Sequence, residues 1–190
     1  LLRDLQRLDQ PAVVPRGVVR GRTDIDGNPL PAALLTEHLH YSLSYRTVFE
    51  RGLRAEQVPS LIDALVVLLV RLHLTGFFWG DVSLSNVLFR RAAGGFAAFL
   101  VDAETGELRE KVSDAMREHD VTVGVENIFA ELMDLRASGA TEVEVDGQEV
   151  VALLEERYHA LWQELTAVEE FGTDEWYRVE QRIARLNDLG

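Results

Sequence analysis

The segment from Pro59 to Thr75 places the strongest constraint on this 190-residue chain, because it is apolar almost all the way round. A helix with that pattern lies either at the centre of a fold or across a membrane. Gly76 supplies a stop signal, and a helix from Val58 to Thr75 would have 18 residues and be about 27 Å long. Three polar or charged side chains, which are costly inside a bilayer, interrupt the run: Asp63, Arg71 and His73. We therefore expect the central helix of a folded domain and no membrane span.

The charge balance disfavours several kinds of partner. With 32 acidic and 19 basic residues the formal net charge is −13, which disfavours binding to nucleic acid and to anionic membrane surfaces. The chain contains no cysteine, so disulfides and thiolate metal sites are excluded and a reducing, cytoplasmic location is compatible. Lys111 is the only lysine in the sequence, so a mechanism that needs a lysine has one candidate.

Two β-hairpins are predicted on either side of the central helix. Strand-like runs cover Val13 to Arg22 and Leu34 to Leu39, and the Asp-Gly and Asn-Pro steps of Asp24–Pro29 favour a turn between them. The second pair of runs is Val87 to Arg90 and Phe96 to Val101, separated by alanine and glycine.

Helical periodicity predicts most of the remaining structure. Leu1 to Leu8 reads as the end of a helix with Leu1, Leu5 and Leu8 on one face. The alternating segment Thr141–Gln148 predicts a small strand or turn. Four amphipathic helices are expected after the second hairpin: Lys111–His119, Val123–Ala137, Val150–Val168 and Asp174–Leu189. These elements indicate the α+β fold class.

Three polar side chains mark the ends of the second hairpin. Asp81 precedes Asn86 by five residues, Asn86 opens the hairpin, and Asp102 follows its second strand. Phosphoryl transfer needs a base near the attacking hydroxyl and hard oxygen ligands for Mg²⁺, and these residue types supply both. The same residues can also be explained by structure alone, with a capped turn at Asp81 and Asn86 and a strand-ending turn at Asp102.

This pattern resembles the protein-kinase-like superfamily, whose catalytic loop reads D-x-x-x-x-N and whose metal-binding aspartate follows a β-hairpin. The run RLHLTGFFWGD resembles the helix that leads into that loop, and Leu34–Leu39 resembles the last small-lobe strand running into the nucleotide-binding hinge. The G-D-x-S-x-x-N pattern is closer to RIO kinases and to bacterial Kdo/WaaP lipopolysaccharide-kinase-like proteins, with a bacterial subfamily of the latter indicated. The resemblance implies a kinase-like fold, mostly the helical large lobe with the end of a small β lobe.

The resemblance also implies a role for each residue of the pattern. Asp81 would be the base that orients the acceptor hydroxyl, and Asn86 and Asp102 would hold Mg²⁺. The backbone of Glu37, His38 and Leu39 would bind the adenine ring of ATP.

Several features depart from the family pattern. Asp102 is followed by alanine and glutamate in place of phenylalanine and glycine, and no glycine-rich loop or small-lobe lysine comes before the first helix. Asp120, eighteen positions after Asp102, resembles the aspartate at the start of a large-lobe helix that anchors the catalytic-loop backbone. No A-P-E motif lies between them, which favours a small-molecule, sugar or lipid acceptor over a protein. We expect the missing strands upstream of Leu1 in a longer protein.

We therefore predict an ATP- and Mg²⁺-dependent phosphotransferase acting on a small hydroxyl-bearing substrate. The alternative is a catalytically inactive, pseudokinase-like binding module. Residues 1–39 are expected to be the remnant of the small lobe and hinge, 40–140 the large lobe, and 141–190 a C-terminal helical extension. Core packing explains the apolar stripes of the last two helices, with a protein partner on them as the alternative.

The histidines offer weaker candidates. His38 and His40 lie two apart on an extended segment and could form half of a metal site, but no third ligand follows by spacing. His73, on the central helix, is expected to be a hydrogen-bonded core residue.

Overall fold

The computed structural model describes residues 1–50, 53–139 and 145–188. The chain begins with helix α1 (Leu2–Arg7), which confirms a helix in this segment. Its buried side chains are Leu2 and Leu5, whereas Leu1 and Leu8 are exposed. The predicted face of Leu1, Leu5 and Leu8 is therefore wrong, because six helical residues make fewer than two turns and leave both end residues outside the core.

The first predicted hairpin is present as strands β1 (Pro15–Val19) and β2 (Ala33–Thr36), which pair antiparallel. The Asp24 carboxylate organises the connection between them, since it accepts hydrogen bonds from the Asp26 and Asn28 backbone N–H groups at 2.9 and 2.8 Å. The segment before β1 is tied to the rest of the protein by the bonds Leu100 N–H to Pro11 O and Val13 N–H to Leu100 O.

The central helix follows two short elements, strand β3 (Ser42–Ser44) and helix α2 (Tyr45–Glu50). A 3₁₀ turn (Ala55–Gln57) leads into helix α3 (Val58–Leu74), and Gly76, with φ of 84°, ends the α3 region. Ala55–Leu74 is long and apolar enough to cross a bilayer. It is nevertheless mostly buried and packs against other elements of the fold, which confirms the prediction of a central core helix.

Four strands come next in the chain: β4 (Phe77–Phe78), β5 (Val87–Ala92), β6 (Gly95–Leu100) and β7 (Glu107–Leu108). β5 and β6 form the second predicted hairpin, which extends to a tight turn at Ala93 and Gly94. β3 pairs with β5 to give a three-stranded sheet in the order β3-β5-β6, and β4 pairs with β7.

Helix α4 (Asp114–Ala137) is one continuous helix and is capped by Ser113, whose hydroxyl accepts the Met116 N–H. The two predicted helices, Lys111–His119 and Val123–Ala137, are wrong in that respect. The residues between them include Val121 and Thr122, whose β-branched side chains lower helix propensity, yet α4 runs through them without a break. Gly124, inside the second predicted helix, lies where a Cβ would be only 3.0 Å from Val82, so close packing accounts for it. Asp120 accordingly lies in the second turn of α4 and not at the start of a helix.

Two further helices complete the chain, α5 (Gly147–Thr166) and α6 (Trp176–Asp188). α3 packs against α5 and β6, and α4 packs against α5. Val150, Leu154 and Tyr158 of α5 belong to the same buried cluster as α3. The first half of the predicted strand or turn at Thr141–Gln148 lies outside the described residues. In the second half the prediction is wrong, because Asp146 caps α5 and Gly147 begins it.

Candidate functional site

The loop between β4 and β5, residues Trp79–Asn86, brings Asp81 and Asn86 into direct contact. The Asn86 Nδ2 donates to the Asp81 carboxylate Oδ2 at 2.9 Å and to the Asp81 carbonyl at 3.0 Å. This assignment directs the amide nitrogen of Asn86 at Asp81, which leaves the Asn86 Oδ1 as the atom for another partner.

The β5–β6 hairpin brings Asp102 to the same end of the sheet. Asn86 directly precedes β5, Asp102 lies two residues after β6, and the Val101 N–H donates to the Asn86 carbonyl at 2.9 Å. The Asp102 Oδ1 accepts the Glu104 N–H at 2.8 Å, which is the strand-ending turn that explains this residue without chemistry. One turn bond still leaves Oδ2 and further lone pairs on the carboxylate.

Oxygen ligands of this type suit Mg²⁺, which is usually bound through one or two carboxylates together with phosphates and water. Asn86 Oδ1 and Asp102 are a compatible donor set, because the amide nitrogen of Asn86 is already committed to Asp81. In the part of the chain that the structure describes, no group of three or more His, Asp or Glu side chains could hold a metal by itself. A Mg²⁺ ion here would therefore need further oxygen atoms, from water or from phosphates.

Asp120 fixes the beginning of the β4–β5 loop from helix α4. Its two carboxylate oxygens accept the Trp79 N–H at 2.8 Å and the Gly80 N–H at 2.7 Å. Asp120 and Trp79 are fully buried and Gly80 is half-buried, so these charge-assisted bonds satisfy backbone groups that water reaches poorly or not at all. The expected anchoring role of Asp120 is thus seen in its contacts.

His73 continues this buried network toward helix α5. Its Nε2 lies 2.9 Å from the Asp120 carboxylate and its Nδ1 lies 2.6 Å from the Tyr158 hydroxyl. A neutral ring with the proton on Nε2 fits both contacts, because it donates to Asp120 and accepts from Tyr158. The Arg117 guanidinium donates to the Tyr158 oxygen at 3.2 Å. Burial raises the pKa of Tyr158 to about 12, so the phenol stays protonated as this network requires.

Two residues that the sequence analysis missed also hold the loop from α4. Glu131 accepts the Leu84 and Ser85 N–H groups, each at 2.8 Å. Asn127 donates to the Asp81 Oδ1 at 3.2 Å and to the Val82 carbonyl at 3.1 Å. Asp120, Gly124, Asn127 and Glu131 recur at helical spacing, so the available signal was a polar stripe on one face of α4.

The predicted hinge residues lie on another connection, between β2 and β3. The Glu37 N–H donates to the Val14 carbonyl at 2.8 Å, and its carboxylate pairs with Arg16. The Ser42 hydroxyl donates to the Leu39 carbonyl at 2.7 Å. The His38 ring lies edge-on to His40 with centroids 5.0 Å apart.

This connection enters β3 beside the distal part of β5. Ser42 is the register partner of Arg90, four residues along the strand from Asn86, a distance of about 13 Å. The hinge and the Asn86 end therefore lie toward opposite ends of the same strand.

A cavity of about 690 Å³ lies elsewhere, between residues 9–12, helix α3 and the β5–β6 turn. Asp81, Asn86 and Asp102 do not line it. It is therefore not part of the site formed by the β4–β5 loop.

Comparison with solved structures shows what kind of fold this is. The chain is similar to a structure described as "WaaP in complex with acyl carrier protein", with 14% identity over 85% of this chain and 73% of that chain and a TM-score of 0.50. It is also similar to a Rio2 kinase–ADP/Mg²⁺–phosphoaspartate complex from Chaetomium thermophilum, with 12% identity, a TM-score of 0.46, and coverage of 98% of this chain and 52% of that chain. The fold is protein-kinase-like and α+β, which confirms the predicted fold class.

Comparisons of sequence add one match. A domain of unknown function (DUF4032) matches residues 160–190, which include the end of α5 and the whole of α6. The search of curated proteins found no match.

Proposed function

We propose that this chain carries the catalytic centre of an ATP- and Mg²⁺-dependent phosphotransferase that acts on a small-molecule, sugar or lipid hydroxyl. The observation that carries the proposal is the contact between Asp81 and Asn86 beside the end of the hairpin that bears Asp102. A kinase-like fold with an aspartate and two oxygen ligands at this place matches the requirements of phosphoryl transfer.

Each residue has a distinct task in this proposal. Asp81 accepts the proton of the acceptor hydroxyl and orients its oxygen toward the phosphoryl group. Asn86 and Asp102 would hold Mg²⁺, which supplies neutralisation of the phosphate charge when it is bound. The hinge at Glu37–Leu39 would bind adenine through backbone groups other than the Glu37 N–H, which already bonds Val14.

The small size of the proposed acceptor is supported by the segment that follows Asp102. It pairs with β4 through Glu107 and Leu108 and reaches the Ser113 cap of α4 soon afterwards. Little chain is left there to form a docking surface for a peptide.

The wider context of the protein is also part of the proposal. We place the protein in the cytoplasm. Residues 1–39 would form the end of the small lobe with the hinge, residues 40–140 the large lobe, and residues 141–190 the C-terminal helical extension. WaaP was solved with acyl carrier protein, and a protein partner for this chain would meet α6, where Trp176, Tyr177 and Ile183 are exposed.

A direct test follows ATP turnover and transfer by the intact protein to a panel of sugars and lipid headgroup alcohols, comparing wild type with Asp81→Asn. Mg²⁺-dependent transfer that disappears in the variant supports the proposal. Nucleotide binding without transfer to any acceptor, unchanged in Asp81→Asn, supports the pseudokinase-like alternative.

A further inference from the structure

Asn127 touches the proposed base from a different element of the fold. It lies on α4, part-buried, and its Nδ2 donates to the Asp81 Oδ1 and to the Val82 carbonyl. Because each contact uses one amide proton, both donors of the side chain are committed to the β4–β5 loop.

The two oxygens of the Asp81 carboxylate therefore have separate amide donors. Asn86 donates to Oδ2 at 2.9 Å and Asn127 donates to Oδ1 at 3.2 Å. Rotation of the carboxylate about its Cβ–Cγ bond would break both contacts together. An ionised carboxylate has about four acceptor positions, so it can still accept the proton of a substrate hydroxyl.

We infer that Asn127 is a positioning residue that fixes the orientation of the Asp81 carboxylate for proton transfer. The inference rests on the role proposed above for Asp81. The Oδ1 atom of Asn86 would also bind the proposed metal, whereas both contacts of Asn127 are to the β4–β5 loop. It holds Asp81 from the rigid body of α4 and restricts the angle at which a hydroxyl meets Oδ1 or Oδ2.

The contact itself can be tested without any turnover, by NMR of the ¹⁵N-labelled protein. The side-chain amide protons of Asn127 should exchange with solvent much more slowly than those of Asn187, which is exposed on α6. In Asp81→Ala one Asn127 amide resonance should move upfield, while Glu131→Gln, which alters a neighbouring bond from α4 to the loop, should leave it in place. Fast exchange and insensitivity to Asp81→Ala would overturn the inference.

Kinetics then separate positioning from general support of the loop. Asn127→Leu should lower kcat about 10- to 100-fold with the KM for Mg·ATP changed less than about twofold, since a small misplacement of a reacting group has effects of this size. Asn127→Asp removes the donor and also adds a second carboxylate beside Asp81, so it should lower kcat too, while Asn127→Leu tests the loss of the donor without added charge. If Asn127 works through Asp81, Asn127→Leu should cause no further loss when added to Asp81→Asn.

Different results would contradict the role of Asn127 and the proposed function of Asp81. Inactive Asp81→Asn together with fully active Asn127→Leu and Asn127→Asp would overturn the inference alone. An additive loss in the double variant would also overturn it, because Asn127 would then act through another group. Full turnover in Asp81→Asn would overturn the proposed function and this role with it.

Discussion

Asp81 is the residue at which a chemical and a structural role predict different outcomes. If Asp81 is a general base, Asp81→Asn should lower phosphotransfer by about 10²- to 10⁴-fold with little change in Mg·ATP affinity. It should also lower stability by about 1–3 kcal/mol, because the new amide nitrogen would face the Asn86 or Asn127 donor that a carboxylate oxygen accepts in the wild type. If Asp81 only holds the loop, the same variant should show this loss of stability and keep its activity. Calorimetric melting and a coupled turnover assay on the same preparations measure both quantities.

The variant Asp120→Ala should act mainly on the stability of the fold. Asp120→Ala removes the acceptor of the buried Trp79 N–H and His73 ring and of the half-buried Gly80 N–H. Each stranded buried donor costs about 1–3 kcal/mol, so we expect the free energy of unfolding in urea to fall by at least about 2 kcal/mol. Exposed Asp134→Ala, on the same helix, is the control and should change it little.

Tyr158 should give stability a pH dependence at the alkaline end. The unfolded phenol titrates near 10, and burial raises the folded pKa to about 12. The folded state therefore binds this proton more tightly, so the stabilisation is fully present below pH 10 and is lost as the pH rises through 12.

The variant Tyr158→Phe isolates this effect. It leaves the buried His73 Nδ1 without its donor, which should cost about 1–3 kcal/mol at neutral pH. The stability difference from wild type, measured by urea unfolding, should narrow between pH 10 and 12. A difference that stays constant over that range would show that the Tyr158 proton is not bound more tightly on folding.

At the scale of the elements, Gly76 explains why α3 must end where it does. It has a φ of 84°, and a Cβ there would lie 2.1 Å from the Arg109 carbonyl oxygen. Gly94, in the β5–β6 turn, has a φ of 90° but open space around the missing Cβ. Gly94→Ala should cost only the left-handed backbone penalty of about 1–2 kcal/mol. Gly76→Ala should cost clearly more in the same urea titration, and equal losses would contradict the close approach.

The elements differ in how far their sequence determines them. α3 and the β5–β6 hairpin could be predicted because continuous apolar residues and a glycine turn leave few alternatives. The continuity of α4 could not, because Val121 and Thr122 have low helix propensity and the packing that outweighs it becomes visible only in three dimensions.

For the molecule as a whole, the net charge of −13 bears on nucleotide binding. ATP alone brings more negative charge to a site that contains Asp81 and Asp102, whereas Mg²⁺ reverses the sign locally. ATP affinity measured by titration calorimetry should therefore rise with Mg²⁺ in the wild type and fail to rise in Asp102→Asn. Binding that ignores Mg²⁺ would contradict the role of Asp102.

In the candidate site, too, residues close together in sequence could be predicted, whereas residues brought together by packing could not. Asp81, Asn86 and Asp102 could be found because they keep a spacing within one hairpin unit. Asn127 and Glu131 lie more than forty residues after the loop residues that they contact, and only the packing of α4 brings them to the loop. The hydrogen bond from the Glu37 N–H to the Val14 carbonyl could not be predicted for the same reason, because it joins two separate strand segments.

The hydrogen bond between His73 and Tyr158 joins residues 85 positions apart, and it has a consequence for the order of assembly. During synthesis the β4–β5 loop leaves the ribosome well before Tyr158 has been made, so His73 has no buried phenol to bond and the Asp120 anchor has incomplete support. The loop would reach its final geometry only when α5 docks on α3 and α4. A chain stopped before Tyr158 would consequently lack the support that α5 gives to His73, and through it to the Asp120 anchor of the β4–β5 loop.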